Sequence, residues 1–170
     1  LTKGNKKILV IIPIVGTQFN EGLKSEVEQV LAPDFTADYA NTTKGTCFIQ
    51  SRYAEFLNTE SIISLSLEAE KNGYDGIYVD CFGSPGVSTV RELVDIPVLG
   101  GFDSAVLMAA SIAQKFSIVT VVPSVIPLIE DEIRALGMSQ NITSIRDVQM
   151  PVQDLSNKEK LIEHLFEQSK

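Results

Sequence analysis

Gly76-Ile77-Tyr78-Val79-Asp80-Cys81-Phe82-Gly83-Ser84-Pro85-Gly86 is the stretch whose reading decides the fold. Its opening four residues, a glycine and then Ile, Tyr and Val, have the composition of a short strand. Cys81 follows directly. Ser84 is a good N-cap and Pro85 suits a first helical turn, so the spacing predicts a helix running to about Leu93. Strand, tight turn and helix make one βα unit.

The same unit recurs on both sides. Upstream, Ile8-Leu9-Val10-Ile11-Ile12 is a continuous apolar run stopped by Pro13, the pattern of a parallel strand buried on both faces. Leu23, Val27, Val30 and Leu31 then fall on one helix face. A short strand is expected near Thr36–Tyr39 and an irregular polar segment from Asn41 to about Asn58. A second helix is expected with Asn58 or Thr59 as its cap and Asn72-Gly73 closing it. Downstream, Ile96–Leu99 reads as a short edge strand, and Gly100-Gly101 leads into an Ala-rich helix over Ser104–Ala113. Phe116-Ser117-Ile118-Val119-Thr120-Val121-Val122-Pro123 then repeats the opening pattern of strand, proline and amphipathic helix (Ile126, Ile129, Ile133, Leu136) up to Gly137. The last helix opens on the capping box Ser156-x-x-Glu159 and is expected to bury Leu161, Ile162, Leu165 and Phe166.

Alternating strands and helices imply parallel α/β architecture. The expectation is two pseudo-symmetric flavodoxin-like halves with a cleft between them. Residues 1–101 form the first and carry Cys81. Residues 102–170 form the second, which with two or three strands looks truncated at its C-terminus.

Composition narrows the function. The 170 residues carry a net charge of −8, from 14 basic and 22 acidic side chains. No basic cluster exists, which argues against nucleic acid and anionic membrane surfaces as partners. No apolar run reaches the length of a membrane span. Two cysteines in a chain of this size fit a reduced, cytoplasmic setting. One His and two distant Cys make no metal constellation. Neither a phosphate loop nor a dinucleotide fingerprint is present.

The chemistry gathers at Cys81. Ligands of open α/β sheets bind at the carboxyl ends of the strands, where this residue falls. A helix start just behind it is expected to favour thiolate and lower the thiol pKa. A thiol poised near neutrality serves as base when ionised and as acid when protonated. The competing reading is a small buried hydrophobe, the commoner fate of a Cys at a strand end.

The residues from Asp80 to Gly86, with Arg91-Glu92-Leu93 and Ile96-Pro97-Val98-Leu99-Gly100, resemble the A-C-F-G-D-P-G, R-E-L and I-P-V-x-G pattern of the hydantoin/allantoin branch of the Asp/Glu/hydantoin racemase superfamily. Phe116–Thr120, Pro127-x-x-Glu130-Asp131 and the stretch from Ile145-Arg146 to Pro151-Val152 continue the likeness along most of the chain. The resemblance implies a racemase or epimerase that needs no cofactor and acts on a small molecule such as a 5-substituted hydantoin or allantoin. Two cysteines would flank a carbon next to a carbonyl, one removing a proton and the other returning it. Cys81 matches the first. The second belongs to a G-C-x-G-M-like motif expected after the last helix, and the chain stops before it. Relatives are commonly oligomeric, which implies a homo-oligomer.

The resemblance also nominates substrate contacts. Pro13, Val15, Gly16 and Thr17 follow the first strand, Thr17 alternatively capping a helix. Phe82 and Gly83 flank the thiol, and Gln50 stands where the family has Glu. Thr120 and Ser124 end the repeat strand, Ser124 alternatively starting a helix. Gly100 and Phe102 lie at the link between halves. Ser84 replaces the family's Asp, a change that a helix cap tolerates. Cys47 reads as a loop residue and His164 as solvent-facing. The rivals are a Cys-dependent isomerase or decarboxylase of the same superfamily and a non-catalytic small-molecule binding module.

Overall fold

The computed structural model describes residues 5–155 and 157–169. The chain divides into two compact units. The first comprises Leu1–Cys47 and Glu55–Gly101, the second Phe48–Ala54 and Phe102–Lys170.

The first unit holds a parallel sheet of β1 (Lys6–Ile12), β2 (Phe35–Asn41), β3 (Gly76–Val79) and β4 (Val98–Gly100) in the order β2-β1-β3-β4. This is the flavodoxin-like order expected. Strand alternation sends Leu9, Ile11, Ile77 and Val79 to one face, where they meet Ile62 and Ala69 of α2 (Arg52–Lys71) and Val87 and Val90 of α3 (Val87–Arg91). Val10 and Ile12 face the other way and are also buried. That explains the unbroken apolar run of β1.

The second unit pairs β5 (Phe116–Thr120) with β6 (Ile142–Asp147) in parallel. Its core joins Ile118 to Phe102 and Val106 of α4 (Gly101–Ile112) and to Ile129 and Ile133 of α5 (Ile126–Ala135). The sequence pattern had concealed β6. Phe116 pairs with Ile142, but Ile118 pairs with Ile145, so β6 carries one extra residue at a bulge. That residue breaks the alternation by which a strand is recognised.

Five helices differ from expectation, α4 only in its bounds, since it starts at Gly101 rather than Ser104 and ends at Ile112 rather than Ala113. The turn after Cys81 uses two successive bonds, Ser84 N–H to the Cys81 carbonyl (3.0 Å) and Val87 N–H to the Ser84 carbonyl (3.2 Å). Helix α3 therefore starts only at Val87. Its N-cap residue is Gly86 at φ +71°, not Ser84, which is left-handed at φ +46°. Helix α2 begins six residues before the expected cap because Ser51 Oγ accepts the Ala54 N–H at 3.2 Å. Asn58 instead lies inside, fully buried.

Helix α1 (Asn20–Val30) buries no residue completely. Leu23, Val27 and Leu31 are half-buried, and Val30, at the rim of their stripe, is 83% exposed. Helix α6 (Lys158–Gln168) is rotated from the expected setting. Ile162 and Phe166 are 66% and 64% exposed, Leu165 is exposed too, and Leu161 is half-buried. His164 is turned inward, its Nδ1 2.6 Å from the Val148 carbonyl. Arg146 Nη1 also donates to the Gln168 carbonyl at 2.9 Å. These polar bonds fix the rotation against the apolar stripe. Ser156 lies outside the described residues, and Asn157 caps α6 through its side chain on Lys160 N–H.

Candidate functional site

The strand order places one feature by topology. From β1 the chain passes outward to β2, then returns across β1 to β3. The loops leaving β1 and β3 thus diverge, and the gap between them at the carboxyl edge is where such sheets take ligands. Ile11 pairs with Val79 there, and Asp80 N–H donates to the Ile11 carbonyl at 2.8 Å. Pro13–Thr17 leaves one strand and Cys81–Gly83 the other, so the first unit holds Pro13, Val15, Gly16, Thr17, Phe82 and Gly83 at its switch point.

Their settings differ. Pro13 is fully buried, whereas Val15 is half-buried with its N–H on the Thr46 carbonyl at 3.0 Å. Gly16 adopts φ +115°, and a Cβ there would sit 2.4 Å from Gln18 Oε1. Thr17 is exposed and caps nothing with its side chain: Phe19 is the N-cap residue of α1, without a side-chain bond. Phe82 is 40% exposed and Gly83 half-buried.

The remaining nominees belong to the second unit, which brings two of them together. Ser124, in a 3-10 turn over Pro123–Val125, donates its hydroxyl to the Gln50 carbonyl at 2.6 Å. Gln50 Nε2 donates to Gln153 Oε1 at 3.0 Å. Thr120 ends β5 half-buried. Phe102 is a fully buried core residue rather than a lining one.

Cys81 is a half-buried free thiol. Its pKa departs from the sequence-based expectation in sign. Burial is the largest of the causes that raise the thiol to about 11; the Gly83 N–H opposes the rise, and the carboxylates of Asp80 and Glu55 add to it. The helix expected just behind the thiol does not reverse this, since α3 begins only at Val87. Cys47 is exposed, its carbonyl taking the Gln18 side-chain amide at 3.3 Å.

Two parts of the surroundings have roles that the sequence did not announce, although Gly100 was noted there as a residue at the link between halves. The first is the glycine pair at the end of β4. A Cβ on Gly100 would lie 2.2 Å from Ser84 Oγ, and one on Gly101 2.8 Å from the Cys81 carbonyl oxygen. Only glycines let this strand end close on the thiol loop. The second is a polar group on the sheet face opposite Ile77 and Val79. Burial raises the Asp80 carboxyl above the usual range, opposed by a hydrogen bond from Tyr78 and reinforced by Glu26. Burial, then Asp80, pushes Tyr78 up to about 12. Tyr39 is raised by burial, Glu28 and Asp80. Asp80 Oδ2 and the Tyr39 hydroxyl are buried without a hydrogen-bond partner. The cue for Asp80 was its place beside the cysteine. Among the described residues no three His, Cys, Asp or Glu converge as metal ligands. No helix there is long and apolar enough to cross a membrane.

The family model Asp/Glu/Hydantoin racemase matches residues 8–169. A hydantoin racemase from Pseudomonas sp. is 31% identical over 148 residues, 87% of this chain and 59% of that one. A hydantoin racemase from Paenarthrobacter aurescens is 32% identical over 141 residues, 82% and 60% of the two chains. The allantoin racemase structure from Klebsiella pneumoniae superimposes with a TM-score of 0.90 at 25% identity, over 95% of this chain and 68% of that one. The chain thus spans under two thirds of the length of these hydantoin racemases.

Proposed function

Because the chain belongs to the Asp/Glu/hydantoin racemase family, we propose that it acts in a cofactor-independent racemase or epimerase that inverts a carbon next to a carbonyl. The substrate is a 5-substituted hydantoin, allantoin or a similar small molecule. Cys81 is one of two thiols working from opposite faces of that carbon. As thiolate it removes the proton, and as thiol it returns one. Backbone N–H groups of the β1 and β3 loops stabilise the enolate-like intermediate. Pro13, Val15, Gly16, Thr17, Phe82 and Gly83 are the proposed substrate contacts, together with Gln50, Thr120 and Ser124. The protein works as a cytoplasmic homo-oligomer without nucleic-acid or membrane partners.

One observation carries the reading: a free thiol, with the Gly83 N–H directed at it, at the carboxyl end of β3 and at the switch point of the sheet. Relatives named hydantoin racemase support the substrate class. The fold also resembles the maleate isomerase from Pseudomonas putida S16, at a lower TM-score of 0.60, so the isomerase reading has weaker support.

The test is deuterium uptake. Single enantiomers of 5-substituted hydantoins and of allantoin are incubated with the protein in heavy water, and exchange at the stereocentre is followed by proton NMR. Exchange with loss of optical activity is expected, reduced at least about 100-fold in Cys81→Ser. Exchange unaffected by Cys81→Ser refutes the reading.

A further inference from the structure

The second unit ties one short segment to the carboxyl end of its own sheet. Residues 48–54 belong to it, although the chain on both sides of them belongs to the first unit. Three side chains hold the segment. Ser124, just beyond β5, donates its hydroxyl to the Gln50 carbonyl at 2.6 Å. Gln153, in the 3-10 turn Val152–Asp154 after β6, accepts a Gln50 side-chain N–H on its Oε1 at 3.0 Å. Asp131 of α5 pairs with Arg52. These bonds commit the donors. A backbone carbonyl can only accept, so the Ser124 O–H is spent on it and the Ser124 oxygen keeps lone pairs alone. The Gln50 amide gives its nitrogen to Gln153, and its Oε1, the other arm of the fork, is the group left for a ligand. The unit's arginines are engaged as well. Arg52 and Arg134 share Asp131, and Arg146 donates to the Gln168 carbonyl. A substrate carboxylate is therefore offered no spare guanidinium, whereas a neutral N–H is offered two neutral acceptors.

Resting on the reading of Gln50 and Ser124 as substrate contacts, we propose that this end of the second unit selects substrate by its N–H groups. Gln50 Oε1 and Ser124 Oγ, whose own donors are committed to Gln153 and to the Gln50 carbonyl, accept hydrogen bonds from a ureide. Gln153 is the positioning residue that sets the direction of the Gln50 amide. A site built to pair a substrate N–H rejects an analogue that lacks it, because the buried acceptors are then left unpaired.

The test reads binding without turnover. A hydantoin with two methyl groups on the stereocentre carbon has no proton there to exchange, and its N,N′-dimethyl derivative lacks both N–H groups. Affinities of the full chain for the two rings are measured by titration calorimetry, the native circular dichroism of each variant being checked. Gln153 is exposed in its turn, so its replacements leave the core alone. The ring with free N–H groups is expected to bind the wild type at least about tenfold more tightly. That preference is expected to fall within about twofold in Gln50→Ala, which lacks the acceptor, and in Gln153→Lys, whose ammonium only donates and so claims Gln50 Oε1. Gln153→Glu keeps the preference, because a carboxylate still takes the amide nitrogen. A preference absent from the wild type overturns the assignment, as does one that survives Gln50→Ala or Gln153→Lys in a folded protein. Its loss in Gln153→Glu overturns it too. Deuterium exchange into reactive hydantoins without an N–H preference rejects the acceptor pair alone. The preference without exchange rejects the racemase chemistry alone.

Discussion

The same substitution is expected to have opposite signs at two glycines of this chain. Gly101 opens α4 without a left-handed φ, so its backbone would accept any residue. What it lacks is space. An added Cβ would lie 2.8 Å from the Cys81 carbonyl oxygen, 3.1 Å from the Cys81 carbonyl carbon and 3.2 Å from Phe82 Cα. All three are backbone atoms. The first is at least about half an ångström inside ordinary contact, and no flexible side chain can swing aside to relieve it. Overpacking of this kind costs about 1–3 kcal/mol, against a helix-propensity gain of at most about 1 kcal/mol. With the full propensity gain, Gly101→Ala should therefore lose up to about 2 kcal/mol. Gly22, inside α1, has nothing within 4 Å of its added Cβ. There only the propensity remains, and Gly22→Ala should gain about 0.5–1 kcal/mol. Urea denaturation followed by circular dichroism measures both. A Gly101→Ala protein as stable as Gly22→Ala would refute the packing argument, and with it the claim that the β4 end clamps the thiol loop.

The remaining expectations concern the same unit. Cys81 has its pKa raised from 9.0 to about 11. The folded chain thus keeps a proton that the unfolded chain releases, and stability fully present below about pH 9 falls by about 2–3 kcal/mol as pH rises through about 11. The difference in urea stability between wild type and Cys81→Ala must shrink by that amount across the window, and parallel pH curves would contradict it. Asn58 accepts the Thr46 N–H at 3.1 Å and donates to Thr46 Oγ1 at 2.7 Å from a fully buried position. Asn58→Ala should cost about 1–3 kcal/mol by orphaning those groups, and a thermal shift within error of zero would show that water replaces them. Gly45, at φ +123°, packs a would-be Cβ 2.2 Å from Asn58 Oδ1. Gly45→Ala should destabilise where Asn58→Ala already has, and the double-mutant cycle should be non-additive.

The sheet was legible in the sequence because its signals are local. An apolar run closed by Pro13, and Gly76–Val79 running into Cys81, are patterns of a few residues that survive without tertiary context. So is the αL glycine after a helix, and Gly73 and Gly137 both have φ above +70°. What failed was decided at a distance. The bulge in β6 depends on its pairing with β5. The start of α2 was misread because Asn58 is an equally good cap by type, but its side chain is spent on a loop twelve residues away. The rotation of α6 is set by His164 and Gln168 finding partners at Val148 and Arg146, which no periodicity of apolar residues announces. Within the site, Cys81 was visible by motif and position. The glycine pair at 100 and 101 was seen as a link to a helix, because close approach between segments leaves no mark but the absence of a side chain.

The reversed shift of Cys81 follows from magnitudes. A helix N-terminus is worth about 0.3–1 kcal/mol to a nearby anion at an exposed site and fades beyond the first turn. Helix α3 begins at Val87, behind a left-handed Gly86. The rise from 9.0 to about 11 corresponds to about 2–3 kcal/mol against the thiolate. Even a well-placed dipole would leave burial in command, and the Gly83 N–H offsets only part of it. At about pH 8 a thiol near 11 is ionised in about one molecule in a thousand. That scarcity would cripple a residue whose resting task was to abstract a proton, but it suits one whose resting task is to supply it. The same displacement makes the rare thiolate a stronger base than an ordinary one. A raised pKa is therefore compatible with both halves of an inversion, provided that the cycle starts with Cys81 protonated.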